Sequence, residues 1–73
     1  MKIGYAEQYH KPCVILEKGD LAEDIIGFAE IEGAVFYDGP DPIEDKCYVV
    51  KFPNRPKELY TREALMRSFP IRD

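Results

Sequence analysis

The segment DLAEDIIGFAEIEG, residues 20–33, decides the fold class of this 73-residue chain. Its apolar residues recur at helical spacing, while most of its acids and Gly27 fall on the opposite side, as in an amphipathic helix. Asp20 followed by Glu23 matches a capping box, and Gly33 suits the left-handed residue that follows a helix end. The sequence therefore predicts a helix over this segment. The apolar set is Leu21, Ala22, Ile25, Ile26, Phe28 and Ala29.

A strand is the competing interpretation of the same segment. Bent at Gly27, it would place Ile25, Ala29 and Ile31 on one side. A glycine inside a helix costs about 1 kcal/mol relative to alanine, which keeps this alternative open. With a strand here the chain becomes nearly all β, and its pattern of elements is similar to an SH3-like small β-barrel with a short C-terminal helix.

The rest of the chain reads as short strands and one further helix. Alternating or β-branched apolar runs predict strands, and Thr61 is a good cap for a last helix that ends before Pro70. Short turns between strands imply a mostly antiparallel sheet. We therefore predict an α+β fold of about four to five strands with one or two helices, in a single domain over residues 1–73. The predicted strands are 2–9, 13–17, 34–37, 47–52 and 57–60, and the last helix is 62–69.

Composition indicates a folded domain. The hydrophobic fraction is 45% and the charged fraction 33%, which fits a globular protein rather than a disordered tail. The start of the chain lacks a secretory signal, and no run approaches the roughly 20 apolar residues that cross a bilayer. We expect a cytoplasmic protein without membrane association.

The charge is divided unevenly along the chain. Residues 17–45 carry ten acids and one base, whereas residues 46–73 carry seven bases and three acids, within a total of −4. A dense acidic surface attracts basic partners and disfavours nucleic acid. The alternative is a solvated face whose acids pair with the basic last third.

This asymmetry predicts a small non-catalytic protein-binding module. Its partner would be a larger protein, basic or nucleic-acid-binding, such as an enzyme or a nucleic-acid-handling complex. Accessory and inhibitor proteins of bacteriophage type share the short length, the lopsided charge and the lack of motifs. Tyr37 is the candidate aromatic anchor. The predicted partner-binding residues are Glu30, Glu32, Tyr37, Asp38, Asp41, Glu44 and Asp45.

Nucleic-acid binding by the basic last third is one alternative function. Basic side chains alternate there with aromatic ones, as on surfaces that bind single strands. The sequence pI of about 4.9 argues against it, and we do not expect nucleic acid as a partner. The residues concerned are Arg55, Lys57, Arg62 and Arg67, with Tyr60 and Phe69.

A small enzyme or redox protein centred on Cys13 and His10 is the other alternative. No oxyanion turn, phosphate loop or metal-ligand spacing accompanies these residues, and Cys13 and Cys47 read as small apolar residues. We therefore predict no catalytic residues, no metal and no cofactor. Self-association stays open, because acidic and basic blocks of one chain can pair between copies.

Overall fold

The computed structural model of the protein describes residues 1–71 and has five strands and two α-helices. This confirms the predicted α+β fold and the helix over the deciding segment. The sheet is open rather than closed, so the SH3-like barrel alternative is wrong. The elements are β1 Lys2–Ala6, a 3-10 turn Glu7–Tyr9, β2 Lys11–Ile15, α1 Ala22–Glu32, β3 Val35–Tyr37, β4 Lys46–Lys51, β5 Lys57–Tyr60 and α2 Arg62–Ser68.

β4 lies at the centre of the sheet. β5 runs antiparallel along one of its edges. The other edge is shared: β3 pairs antiparallel with the first half of β4, and β2 pairs parallel with the last two residues. β1 completes the sheet as the antiparallel neighbour of β2. The mostly antiparallel sheet that the short turns predict therefore contains one parallel pair, and α1 supplies part of the crossover that such a pair requires.

The start of α1 differs from the predicted capping box. Leu21 is the residue before the first turn, and no side chain caps it. The Asp20 carboxylate instead accepts a hydrogen bond from the backbone N–H of Glu17 at 2.8 Å, which closes the turn between β2 and α1. The first-turn amide of Ala22 donates to the carbonyl of Pro70 at 2.9 Å. A long-range backbone contact that no local pattern reveals thus replaces part of the expected cap.

The other two helix signals are confirmed. Gly33 follows α1 in the left-handed conformation, with φ 79°, and its N–H donates to the carbonyl of Ala29. A residue with a side chain is strained in this conformation, so the glycine suits the position. The hydroxyl of Thr61 accepts the N–H of Ala64 at 3.1 Å and caps α2.

The sheet has two unlike faces. The helices cover one face, where the main core forms from residues of both helices and of β2 and β4. The other face, here called the helix-free face, has a smaller cluster in which Ala6, Cys13 and Val49 are buried. A Cβ on Gly4 would lie 2.8 Å from Ile15 Cδ1, so the glycine lets the Ile15 side chain lie over β1. The main core consists of Val14, Leu16, Ile25, Ile26, Ala29, Ala34, Tyr48, Val50 and Leu65.

Candidate protein-binding surface

A groove of about 630 Å³ lies beside the first half of β4. Four parts of the chain form its walls: the end of α1, the loop 38–45, β4 and the start of α2. The groove could not be predicted from the sequence. The residues that form its walls lie up to thirty or so positions apart along the chain and come together only when the chain folds. Its charged lining residues are Glu30, Glu44, Lys46, Arg62 and Glu63.

Glu30 is held in place on one side of this groove. Its Oε1 accepts the Lys46 ammonium at 2.9 Å and the Tyr48 hydroxyl at 2.8 Å. The Lys46 ammonium also lies 5.5 Å from the centre of the Tyr48 ring. Tyr48 belongs to the buried core, so it fixes the position of the carboxylate. Glu30, predicted to be a free contact residue, is therefore neutralised by a neighbouring strand.

The same contacts shift the pKa values of three side chains. The hydrogen bond from Lys46, and then that from Tyr48, lowers the pKa of Glu30. The hydrogen bond to Glu30 raises the pKa of Lys46. Burial, followed by the hydrogen bond to Glu30, raises the pKa of Tyr48. Glu30 stays ionised and Lys46 stays charged near neutral pH, so this corner of the groove is an ion pair.

Two acids of the loop 38–45 stabilise its shape. Asp41 Oδ1 accepts the backbone N–H groups of Ile43 at 2.8 Å and Glu44 at 3.1 Å, which lowers the pKa of Asp41. Asp45 Oδ2 accepts the N–H of Asp41 at 2.7 Å. A Cβ on Gly39 would come within 2.5 Å of the same Asp45 oxygen, so the glycine makes room for this carboxylate. Asp41 and Asp45 thus stabilise the loop, a role that the density of acids in the sequence did not indicate.

The remaining predicted acids are exposed and uncompensated. Glu32, Asp38 and Glu44 make no ion pair or side-chain hydrogen bond with any residue in 1–71. Of these, Glu44 lines the groove together with Glu30. Asp38 lies with Asp45 near Cys47, whose pKa is raised by burial and then by these two carboxylates. The predicted partner-binding acids are therefore divided: Glu30 and Glu44 line the groove, whereas Asp38 and Asp45 lie near Cys47.

Two exposed apolar side chains accompany the acids. Tyr37 is 51% exposed and lies opposite Lys46 in the register, hence on the same face of the sheet as the groove. Ile43 is 84% exposed and lines the groove next to Glu44. Tyr37 was predicted as an anchor, whereas Ile43 was missed. The available signal was an isoleucine set between a proline and an acid in a loop that cannot bury it.

Among residues 1–71, no hydrogen bond joins Cys13 and His10. Cys13 is 1% exposed beneath the helix-free face, and His10 is an exposed residue in a left-handed turn with φ 54°. Cys13 and Cys47 are both free thiols. Within residues 1–71, no group of three His, Cys, Asp or Glu side chains is placed to hold a metal ion.

Among residues 1–71, basic side chains of the last third lie on different surfaces. The aromatic rings there pack on one another: Phe52 lies 5.7 Å from both Tyr60 and Phe69, and Arg55 stacks over Phe52 at 5.4 Å. Arg62 lines the groove, and Lys57 lies on the helix-free face. These aromatic residues thus contribute to the core and not to an exposed stacking platform.

Comparison of the chain with models of protein families, with curated proteins and with solved structures gives no match. Among residues 1–71, neither helix combines the length and the apolar character that crossing a membrane requires.

Proposed function

We propose that this chain is a non-catalytic module that binds a larger, basic protein through the loop 38–45 and the adjoining groove. The partner would be an enzyme or a nucleic-acid-handling protein, and the module would act as an accessory or inhibitor protein of the bacteriophage type. The exposed Ile43 beside the unpaired Glu44, at the rim of a preformed groove, is the observation that carries the proposal.

An isoleucine on the loop gives the proposed interface an apolar centre. Ile43 adds little to the monomer core, because 84% of it faces water. Removing such a side chain from water contributes about 1.5–3 kcal/mol, or at least tenfold in affinity. Tyr37 adds a second apolar side chain on the same face.

The groove offers carboxylates for a basic side chain of the partner. Glu44 and Glu63 both line it, and neither makes an ion pair with a residue in 1–71. Glu30 is already paired with Lys46 and is not counted among them. Arg62 also lines the groove, so the acids there exceed the bases by one. A lysine or arginine of the partner that reaches Glu44 or Glu63 would be paired, while Ile43 covers the contact and excludes water.

The loop is ordered before any partner arrives. Hydrogen bonds from Asp41 and Asp45 to backbone amides fix the segment that carries Ile43 and Glu44. A preorganised loop loses less conformational entropy on binding, so more of the contact energy appears as affinity. The excess of acids over residues 17–45 steers a basic partner towards this end of the molecule.

A double variant tests the proposal without disturbing the loop. Ile43→Ser with Glu44→Lys removes the apolar contact and reverses one charge, while leaving Asp41 and Asp45 in place. Its matched control is Ile71→Ser with Glu7→Lys, since Ile71 is 51% exposed and Glu7 is exposed, both away from the groove lining. Each variant and the natural chain would be used to capture proteins from the host lysate.

The expected result is a basic protein that the natural chain and the control capture and that the loop variant loses. With that protein purified, the dissociation constant should rise at least tenfold for the loop variant and should stay unchanged for the control. Equal capture by both variants would refute the proposed surface.

A further inference from the structure

Three lysines form a row across the helix-free face. The register aligns Lys2 with Ile15, Ile15 with Lys51, and Lys51 with Lys57, so one line crosses β1, β2, β4 and β5. Neighbouring strands lie about 4.8 Å apart, which makes this line about 14 Å long. These residues, here called the lysine row, are distant in sequence and become neighbours only through strand pairing.

The charge of the lysine row is not compensated within residues 1–71. No carboxylate there lies within ion-pair distance of Lys2, Lys51 or Lys57. Glu17, the first acid after β2 in the sequence, pairs with the terminal ammonium of Met1 at 3.1 Å. Lys51 and Lys57 are opposite each other in the register, and like charges in opposite positions destabilise a sheet. The Lys51 ammonium donates to the carbonyl of Phe52 at 3.3 Å, which leaves its charge without a carboxylate. An anionic group bound at the row would relieve this repulsion.

Apolar side chains flank the lysines. Ile15 stands in the row itself, and Leu59 lies two residues from Lys57 on the same face. Both are partly buried and cover Cys13 and Val49. The surface therefore suits a ligand that combines negative charge with an apolar group.

The loop 38–45 of the same protein has this combination. It carries four acids and no base, with Ile43 exposed. The loop precedes the first residue of β4, and the lysine row crosses the last, about 17 Å further along the strand. The two surfaces lie at opposite ends of one strand, an arrangement that favours contact between copies over contact within one.

We infer that a second copy of the chain docks its loop 38–45 on the lysine row, with Ile43 against Ile15 and Leu59. The contact joins two different surfaces, so each added copy leaves a free loop and a free row, and the chain associates head to tail. An eight-residue loop buries less area than a standard interface, so the association is weak and sensitive to salt. Because the loop is also the proposed partner surface, self-association and partner binding exclude each other.

A second copy fits better than a single-stranded nucleic acid. The acids on the remainder of the chain repel a long polyanion that extends beyond the row. The aromatic rings on the helix-free face, Tyr9 and Phe36, are in contact with each other at 5.4 Å. Phe36 pairs with Cys47 at the opposite end of β4, away from the lysines.

The substitution Lys57→Glu distinguishes weaker self-association from a loss of folding. The substitution turns a like-charge pair into an opposite-charge pair, so the variant should melt at a higher temperature. The same change weakens the row, and the self-association constant at low salt should fall about tenfold. Lys18→Glu is the matched control, because Lys18 lies in the exposed turn after β2, outside the row.

Sedimentation equilibrium of the pure protein at low and high salt is the measurement. We expect concentration-dependent association that salt reverses, that Lys57→Glu weakens and that Lys18→Glu preserves. Lys57→Glu mixed with the loop variant Ile43→Ser/Glu44→Lys should form a 1:1 complex that does not grow, because only one competent contact is left.

Three results would overturn the inference: a natural chain that stays monomeric at low salt, association that Lys57→Glu does not weaken, or a monomer whose lysine row instead binds a single-stranded oligonucleotide. The test uses no partner protein, so its failure leaves the proposed function standing, and failure of partner capture leaves self-association standing.

Discussion

β4 begins at an acidic loop and ends in a row of lysines, and the two ends are stabilised in different ways. At the first end, the Asp41 and Asp45 carboxylates hold backbone amides and so fix a loop that buries little apolar surface. At the other end, the Val50 side chain of β4 is fully buried in the main core, and this packing fixes the strand that carries Lys51. Hydrogen bonds thus position one charged surface, and the core positions the other.

The packed core should show the largest effect of a single substitution. Leu65 is fully buried between α2 and the sheet, so Leu65→Ala should lower the free energy of unfolding by about 2–5 kcal/mol. Urea denaturation measures this value. Ile43→Ala, which truncates an isoleucine that is mostly in water, should change it by less than about 0.5 kcal/mol. Similar losses for the two variants would contradict the division between a packed core and a loop that is held by hydrogen bonds.

The ion pair beside the loop should give a smaller, pH-dependent effect. Because the pKa of Glu30 in the folded protein lies below its usual value of 4.5, its contribution to stability is present above pH 4.5 and is lost as the pH falls through the lowered pKa. The Glu30 side chain is 46% exposed, so screening limits the contribution to below about 1 kcal/mol.

Glu30→Gln tests this effect by urea denaturation between pH 7 and about pH 3. The natural chain should lose more stability than the variant as the pH falls below 4.5, and the difference should shrink at high salt. A stability advantage of the natural chain over the variant that grows as the pH falls would have the wrong sign for a lowered pKa.

The smallest expected effect on the fold is a local one in the loop. Asp41→Ala removes the acceptor for the N–H groups of Ile43 and Glu44, so these amides should exchange faster with solvent. Amides of β4 and α1 should keep their protection, because the core is unchanged. Hydrogen exchange followed by NMR measures both. Asp41→Asn, which keeps a side-chain acceptor, should give an intermediate result, and equal loosening of β4 would show that the loop and the core are not separate.

Much of the fold could be predicted from local patterns. The apolar spacing over 20–33, the glycine at 33 and the hydroxyl of Thr61 act within a few residues of where they stand, and the structure confirms each of them. The predicted role of Asp20 is wrong because a competing local partner, the N–H of Glu17, takes its carboxylate. The parallel pairing of β2 with β4 depends on the crossover as a whole, which no single motif encodes.

The candidate site was harder to predict, because it depends on register. The sequence shows where the acids cluster along the chain. It does not distinguish Glu30, which pairs with Lys46 of a distant strand, from Glu44, which has no ion-pair partner within residues 1–71. Ile43 was missed because hydrophobicity alone suggests burial. The lysine row was missed because Lys2, Lys51 and Lys57 become neighbours only when three strand pairings are known.

NMR mapping of the captured partner on the labelled chain tests the proposed function most directly. We expect the amide shifts on titration to concentrate in residues 38–45 and at the groove around Arg62 and Glu63, and to leave β1 and β5 unchanged. Shifts confined to the helix-free face, with the loop unaffected, would contradict it.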